Sequence, residues 1–183
     1  GEKIRNIRAQ LTSQGAPFEV QQVTLPDGRS VAAYRNAFQN LAQVIDAGRV
    51  HGAAEFMVYG EDRWTFDRFF AAADALASRL QKQRGIKPGD RVAIAMRNRP
   101  EWAVAFAATA LLGAVPVPLN SFGLSSELMA NLEDTRPVML ICDADRHARI
   151  SQAIAQTAIK TVVVDGEAGD ISWLALMAGF SDE

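Results

Sequence analysis

Two hydrophobic periods run along the chain, and the place where one gives way to the other divides it. From residue 66 a stripe of Phe66, Phe69, Phe70, Ala73, Leu76, Ala77 and Leu80 recurs at spacings of three and four, which predicts a helix with one buried face. Thr65 is placed to cap its start and Gly85 to stop it. Beyond it come four short runs rich in valine and isoleucine, "RVAIAM", "AVPVPL", "VMLIC" and "TVVVD", separated by helical patterns over 100–112, 126–134 and 144–157. Strands joined through helices are parallel, because a tight turn cannot connect parallel neighbours. The predicted class is α/β: an open, mostly parallel sheet with helices on both faces, a three-layer αβα arrangement. The loose stretch "DGEAGD" then precedes a last short helix.

The first third reads differently. Ile4, Ile7 and Leu11 mark one side of a helix over residues 2–14, stopped by Gly15 and Pro17. "FEVQQVTL" and "SVAAY" flank the turn sequence "PDGR", which predicts a hairpin, and a shift of apolar phase between Val20 and Val23 predicts a bulge in it. A short helix around Leu41, Val44 and Ile45 ends at Gly48, and "EFMVY", "GEDR" and "WT" form a second hairpin. The chain is thus expected to divide into residues 1–65, helix and hairpin elements, and residues 66–183, the α/β subdomain. Phe69, Leu76, Leu80, Val92, Ile94, Phe106, Leu111, Val115, Leu140 and Val163 are the expected core.

One segment breaks the usual amphipathic habit. In "NRPEWAVAFAATALLGAVPVPLN" no charge falls between Trp102 and Leu112, so no face of that helix is marked for water. Gly113, Pro116 and Pro118 cut the apolar run into a helix and a short strand, so it is read as buried rather than membrane-spanning.

Charge narrows the function classes. Nineteen basic residues face 21 acidic ones, a formal net of −2, and no basic run occurs, so the chain as a whole offers no field for nucleic acid or an anionic membrane. The single cysteine, Cys142, cannot form an internal disulfide, and no charged segment leads into an apolar run at the start. A reducing, cytoplasmic setting follows.

Ligands of parallel sheets sit beyond the carboxyl ends of the strands. The loop after "RVAIAM" is "RNRPE", not a glycine-rich turn, and neither G-x-G-x-x-G nor G-x-x-x-x-G-K-[ST] occurs. "GEAG" at 166–169 is too weak to replace them. His51 and His147, with one cysteine, make no zinc pattern. Cys142 at a strand end reads as a small buried thiol ahead of a nucleophile, and Asp143 or Asp145 as a helix cap ahead of a catalytic carboxylate. Glu101 and Glu127 stand in first turns, where the helix dipole favours negative charge. Arg97 and Arg99 could hold an anion but read as solvated. No residue is therefore assigned a catalytic, cofactor-binding or metal-binding role.

Several stretches nevertheless occur together in a known order: "WTF" at a helix start, "KPGDRVAI" leading into a strand, "NRPE" at the next helix, then "LGAVPVPLN", "SSEL" and "LEDTRP". Over residues 55–145 the chain resembles the opening of the adenylate-forming enzymes, the superfamily of acyl-CoA synthetases, luciferases and peptide-synthetase adenylation domains. The lead-in "APFEVQQVTLPDGRSVAAYRNAFQNLAQVIDAGRVHG" leans toward the fatty and other carboxylic acid CoA ligases. The resemblance implies an AMP-forming ligase that uses ATP, Mg and CoA: a carboxylate attacks the α-phosphate, and the CoA thiol then displaces AMP. It also implies that the phosphate loop, the adenine-binding segment and the mobile lysine lie outside these residues, so that this piece alone binds no cofactor and is inactive. A stand-alone binding or scaffold domain of the same ancestry is the alternative. Arg68 stands where many relatives carry an acid, which implies a weaker helix start. In whole members two sheets stack with helices between them. Helix 100–112 is therefore expected between sheets, and a piece lacking the second sheet is expected to form a homodimer that covers it.

Overall fold

The computed structural model describes residues 1–180, which fall into two compact units, one of residues 1–40 and one beginning at Leu41. The first unit holds α1 (Glu2–Thr12) and a hairpin of β1 (Val20–Thr24) and β2 (Ser30–Tyr34). The expected bulge is absent: the antiparallel register runs unbroken from Val20 opposite Tyr34 to Thr24 opposite Ser30. Gln21 and Val23 share the half-buried face while Val20 lies on the exposed one, so the apolar phase shift reflects an outward valine and not an extra residue.

The second unit opens with α2 (Leu41–Asp46), which runs into a single 3-10 turn over Ala47–His51. A second hairpin follows, β3 (Glu55–Tyr59) with β4 (Asp62–Thr65), and the register irregularity lies here, between Glu55 and Met57. It leads directly into α3 (Phe66–Arg84), whose start is capped by the Thr65 hydroxyl accepting the Arg68 N–H at 3.1 Å. Arg68 supplies no capping-box acid. Its guanidinium instead lies 3.9 Å from the Trp64 ring centroid and donates to the Asp62 carboxylate at 2.6 Å, tying the hairpin to the helix. Gly85 ends α3 at φ 69°, a left-handed position that glycine takes without strain.

From there the chain lays down β5 (Arg91–Ala95), α4 (Pro100–Leu111), β6 (Val115–Pro118), α5 (Ser125–Thr135), β7 (Met139–Cys142), α6 (Ala144–Ile154), β8 (Lys160–Val163), the two-residue β9 (Ile171–Ser172) and α7 (Trp173–Leu176). The five strands form one parallel sheet in the order β6-β5-β7-β8-β9. Alternation along the strands sorts the core into two layers. Val92, Ile94, Met139, Ile141 and Val162 face α3 and α4, whereas Ala93, Ala95, Leu140, Cys142 and Val163 face α5 and α6. The sheet is therefore the middle of three layers, as the periodicity predicts. Strand β9 carries no readable signal, since two residues make no period.

Seven of the ten expected core residues are buried, from Phe69 through Val163, but three are not. Phe106 and Leu111 are half-buried, and Val115 is 44% exposed. The reason is position: β6 is an edge strand paired on one side only, and Phe106 lies against Trp102 in a stacked pair with ring centroids 5.3 Å apart.

Helix α4 is enclosed, though not by a second sheet. No residue of Pro100–Leu111 is fully exposed, and α3 and α2 pack along the sides that the sheet leaves open. Arg49 fastens this cover. It donates to Asp46 at 2.6 Å and to both Asp74 oxygens at 2.7 and 2.9 Å, and its guanidinium lies 4.3 Å from the Phe70 ring centroid. The apolar sequence of α4 thus has three neighbours from its own unit, which bury Val104, Ala105 and Ala107–Ala110 and leave Trp102, Ala103, Phe106 and Leu111 half-buried, and a homodimer is not required to account for its burial.

The layering gives an asymmetry that denaturant melts can read. Leu76→Ala, at a site with no exposure, should lower unfolding free energy by about 3 kcal/mol, and Val115→Ala by less than about 1 kcal/mol. A second expectation concerns Arg136, the one non-glycine described residue at positive φ (47°), where it closes α5 in the left-handed conformation. Arg136→Gly should raise stability by about 1 kcal/mol, read as a higher melting temperature.

Candidate functional site

The strand order contains a switch point. From β5 the chain leaves into α4 on one face, and from neighbouring β7 into α6 on the other, so a crevice opens between their carboxyl ends. This is where a parallel sheet ordinarily receives a phosphate. Here the crevice is occupied by Asp143, 4% exposed, whose Oδ2 accepts the Arg97 N–H at 3.1 Å and whose Oδ1 accepts the Arg146 N–H at 2.9 Å. The backbone donors that an anion would use are already satisfied by a carboxylate. Asp143 acts as the cap of α6, one of the two readings its position allowed.

A buried carboxylate needs a counter-charge. Arg146, 5% exposed, supplies it with Nη1 at 2.9 Å from Asp143 Oδ2, and its Nε donates to the Ser121 carbonyl at 2.7 Å. The pair therefore holds the loop after β6 against α6 as well as the loop after β5. Arg149 continues the clamp by donating to the Gly123 carbonyl at 3.1 Å and to Asp145 at 2.9 Å. Asn120 Nδ2 donates to Glu127 at 3.0 Å, so Glu127 anchors this loop rather than merely facing a helix dipole.

Of Arg97 and Arg99, both expected to be solvated, Arg97 is exposed and Arg99 is drawn into ion pairs. The Arg97 guanidinium lies 4.0 Å from the Phe122 ring centroid. Arg99 binds Glu101 at 2.8 and 3.1 Å and Asp165 at 2.7 Å, and Asp165 in turn accepts the Ala144 N–H at 2.6 Å. Burial opposes the charge on Arg99, but the carboxylates of Glu101 and Asp165 outweigh it and hold the guanidinium pKa above its ordinary value. Beside Arg99 opens a cleft of about 500 Å³ lined by Met57, Tyr59, Asn98, Pro100 and Trp102.

The remaining candidates stay apart. His51 packs on Phe66 with centroids 4.8 Å apart, and His147 is half-buried on α6. Among the described residues no group of three or more His, Cys, Asp or Glu is arranged to hold a metal ion. Cys142 is fully buried, and burial, with Asp143 and Asp165 nearby, pushes its thiol up to about 12. Arg146 and Asp165 were not singled out by sequence reasoning. The spacing of Asp143, Asp145, Arg146 and Arg149 at three and four residues carried a readable helix-pair signal, whereas the reach of Arg146 to Ser121 and of Asp165 to α6 did not.

Comparison with known proteins gives a consistent picture. Residues 45–179 match the family model described as AMP-binding enzyme. The chain is 33% identical over 123 residues to an L-proline--[L-prolyl-carrier protein] ligase of Streptomyces coelicolor, covering 67% of this chain and 23% of that protein. It is 34% identical over 116 residues to a 2-succinylbenzoate--CoA ligase of Bacillus velezensis, covering 63% and 24%. It thus spans about a quarter of the length of these relatives. A benzoate CoA ligase from Burkholderia xenovorans shares the fold at TM-score 0.69 and 18% identity, over 79% of this chain and 29% of that one. A long-chain-fatty-acid-CoA ligase from Archaeoglobus fulgidus does so at TM-score 0.66 and 23% identity, over 79% and 30%.

A thiol whose pKa is raised from 9.0 to about 12 stays neutral and inert at ordinary pH. Native protein at pH 8 should therefore leave Cys142 unlabelled by a disulfide reagent, with one equivalent of colour released only on unfolding. Because the raised value belongs to the folded state, any stability linked to this thiol is full below pH 9 and lost between pH 9 and about 12.

Proposed function

The chain belongs to the AMP-binding enzyme family, and from that premise we propose that it is the opening part of an acyl-CoA synthetase that activates a carboxylic acid, of the fatty acid class, as its acyl-adenylate and hands it to CoA. In the first step a carboxylate oxygen attacks the α-phosphorus of ATP and pyrophosphate leaves. In the second the CoA sulfur attacks the acyl carbon, AMP leaves and the thiol proton passes to solvent. The observation that carries the reading is the family match across residues 45–179, supported by a relative named as a CoA ligase.

The described residues act in this scheme as scaffold. The crevice that would take a phosphate is filled by Asp143, so the groups that stabilise the transferring phosphoryl are supplied by other segments. Among the described residues no three acidic or imidazole ligands converge, and no step through magnesium is assigned to this chain. Alone, the 183 residues are inactive. A lone buried thiol fits a reducing, cytoplasmic setting. The second reading, a stand-alone binding domain, draws on the same filled crevice.

Pyrophosphate release with Mg-ATP and a panel of fatty and aromatic acids tests the proposal. The 183-residue chain should give no turnover and no saturable ATP binding tighter than about 100 μM by calorimetry, while a longer natural polypeptide containing it should turn over a fatty acid. Turnover by the short chain contradicts the scaffold role, and a longer polypeptide that forms no acyl-adenylate contradicts the ligase reading.

A further inference from the structure

The near balance of charge over the whole chain conceals an uneven distribution. Residues 1–40 carry five basic and three acidic side chains, which leaves fourteen against eighteen for the rest. Within that first unit Arg29 pairs with Asp27 and Arg35 with Glu19. The excess positive charge therefore resides in α1, whose Lys3, Arg5 and Arg8 outnumber Glu2 and take part in none of the ion pairs described for this unit.

Helix α1 is also exposed and one-sided. Ile4, Ile7 and Leu11 are 73%, 47% and 42% exposed, and no residue of the helix is buried. At about 100° per residue these three side chains fall within an arc of roughly 60°. Lys3 and Arg8 border that arc, one on each side, at roughly 70° from its centre, with Gln10 beside Lys3 at roughly 90°, while Glu2, Arg5 and Asn6 point away from it. Long basic side chains that flank a narrow apolar stripe can reach outward while the stripe is buried.

We propose that α1 is an interfacial anchor that lays Ile4, Ile7 and Leu11 into an anionic lipid surface, with Lys3 and Arg8 on the headgroup phosphates. This goes beyond the ligase reading and does not depend on it. Charge selects the occupant. A second copy of the helix would bring its own Lys3 and Arg8 beside these two cations, and no acid of α1 lies at the border to relieve them. A lipid surface of negative potential attracts every one of those cations. Only three apolar side chains enter, so the attachment is reversible, and no helix of the described residues is long and apolar enough to cross a membrane.

Co-sedimentation of the 183-residue chain with vesicles tests this. Partitioning onto phosphatidylcholine containing about 30% phosphatidylserine should exceed that onto pure phosphatidylcholine by at least about 10-fold and should fall as salt is raised. The pair Lys3→Gln and Arg8→Gln should weaken binding to anionic vesicles about 25-fold, and the pair Ile7→Gln and Leu11→Gln by at least about 10-fold. All four positions lie on an unburied helix, so the variants should keep the parent melting temperature. The proposal fails if the two vesicle types bind equally, if either substitution pair leaves binding unchanged, or if ultracentrifugation without lipid shows self-association that the Ile7 and Leu11 substitutions abolish.

Discussion

A negative charge buried at the end of a parallel sheet has to be compensated, and the way this chain compensates Asp143 decides much of what surrounds it. Its carboxylate takes two backbone donors, one from the loop after β5 and one from the first turn of α6, and a guanidinium completes the balance. Because that guanidinium also reaches the Ser121 carbonyl, a single ion pair sets the relative positions of three loops. Arg99 and Asp165 repeat the device next to it, joining the start of α4 to the segment after β8 and to α6. The carboxyl end of the sheet is consequently a cross-braced platform rather than an open mouth.

What the sequence revealed and what it hid follow from the range of each interaction. The layers of the sheet were legible because a strand buried on both faces must be apolar there, as β7 is along its whole length and β5 is after Arg91. The caps at Thr65 and Asp143 were legible because an N-cap acts over three residues. Arg99 was misread as solvated since one of its partners, Asp165, lies 66 residues away. Val115 departs from the expected core because β6 is an edge strand, which Pro116 and Pro118 signal but which valine content alone does not. The site shows the same division: the capping role of Asp143 spans three residues and is legible, while the reach of its counter-ion Arg146 to Ser121 spans 25 and is not.

Helix α4 shows how an apolar sequence can be read correctly for burial and incorrectly for the partner. A helix without a polar face needs cover on every side, but sequence does not say what supplies it. The cover is α2 and α3, locked by Arg49 across Asp46 and Asp74, and most of the residues it encloses are alanines, which let the helices approach closely. The family match begins at residue 45, within α2.

The prolines of β6 have an outcome beyond the strand itself. Val115 and Leu119 donate their N–H groups inward to Asp90 and Ile94, so by the alternation of the backbone Pro116 and Pro118 face away from the sheet. At those two outward positions the rim offers carbonyl oxygens and no amide hydrogen. A strand from another molecule that tried to extend the sheet there would find acceptors where it also needs donors, and the opposite rim ends in only two residues. The five-stranded sheet is thereby insulated against edge-to-edge extension by the two prolines that interrupt the apolar run of its sequence.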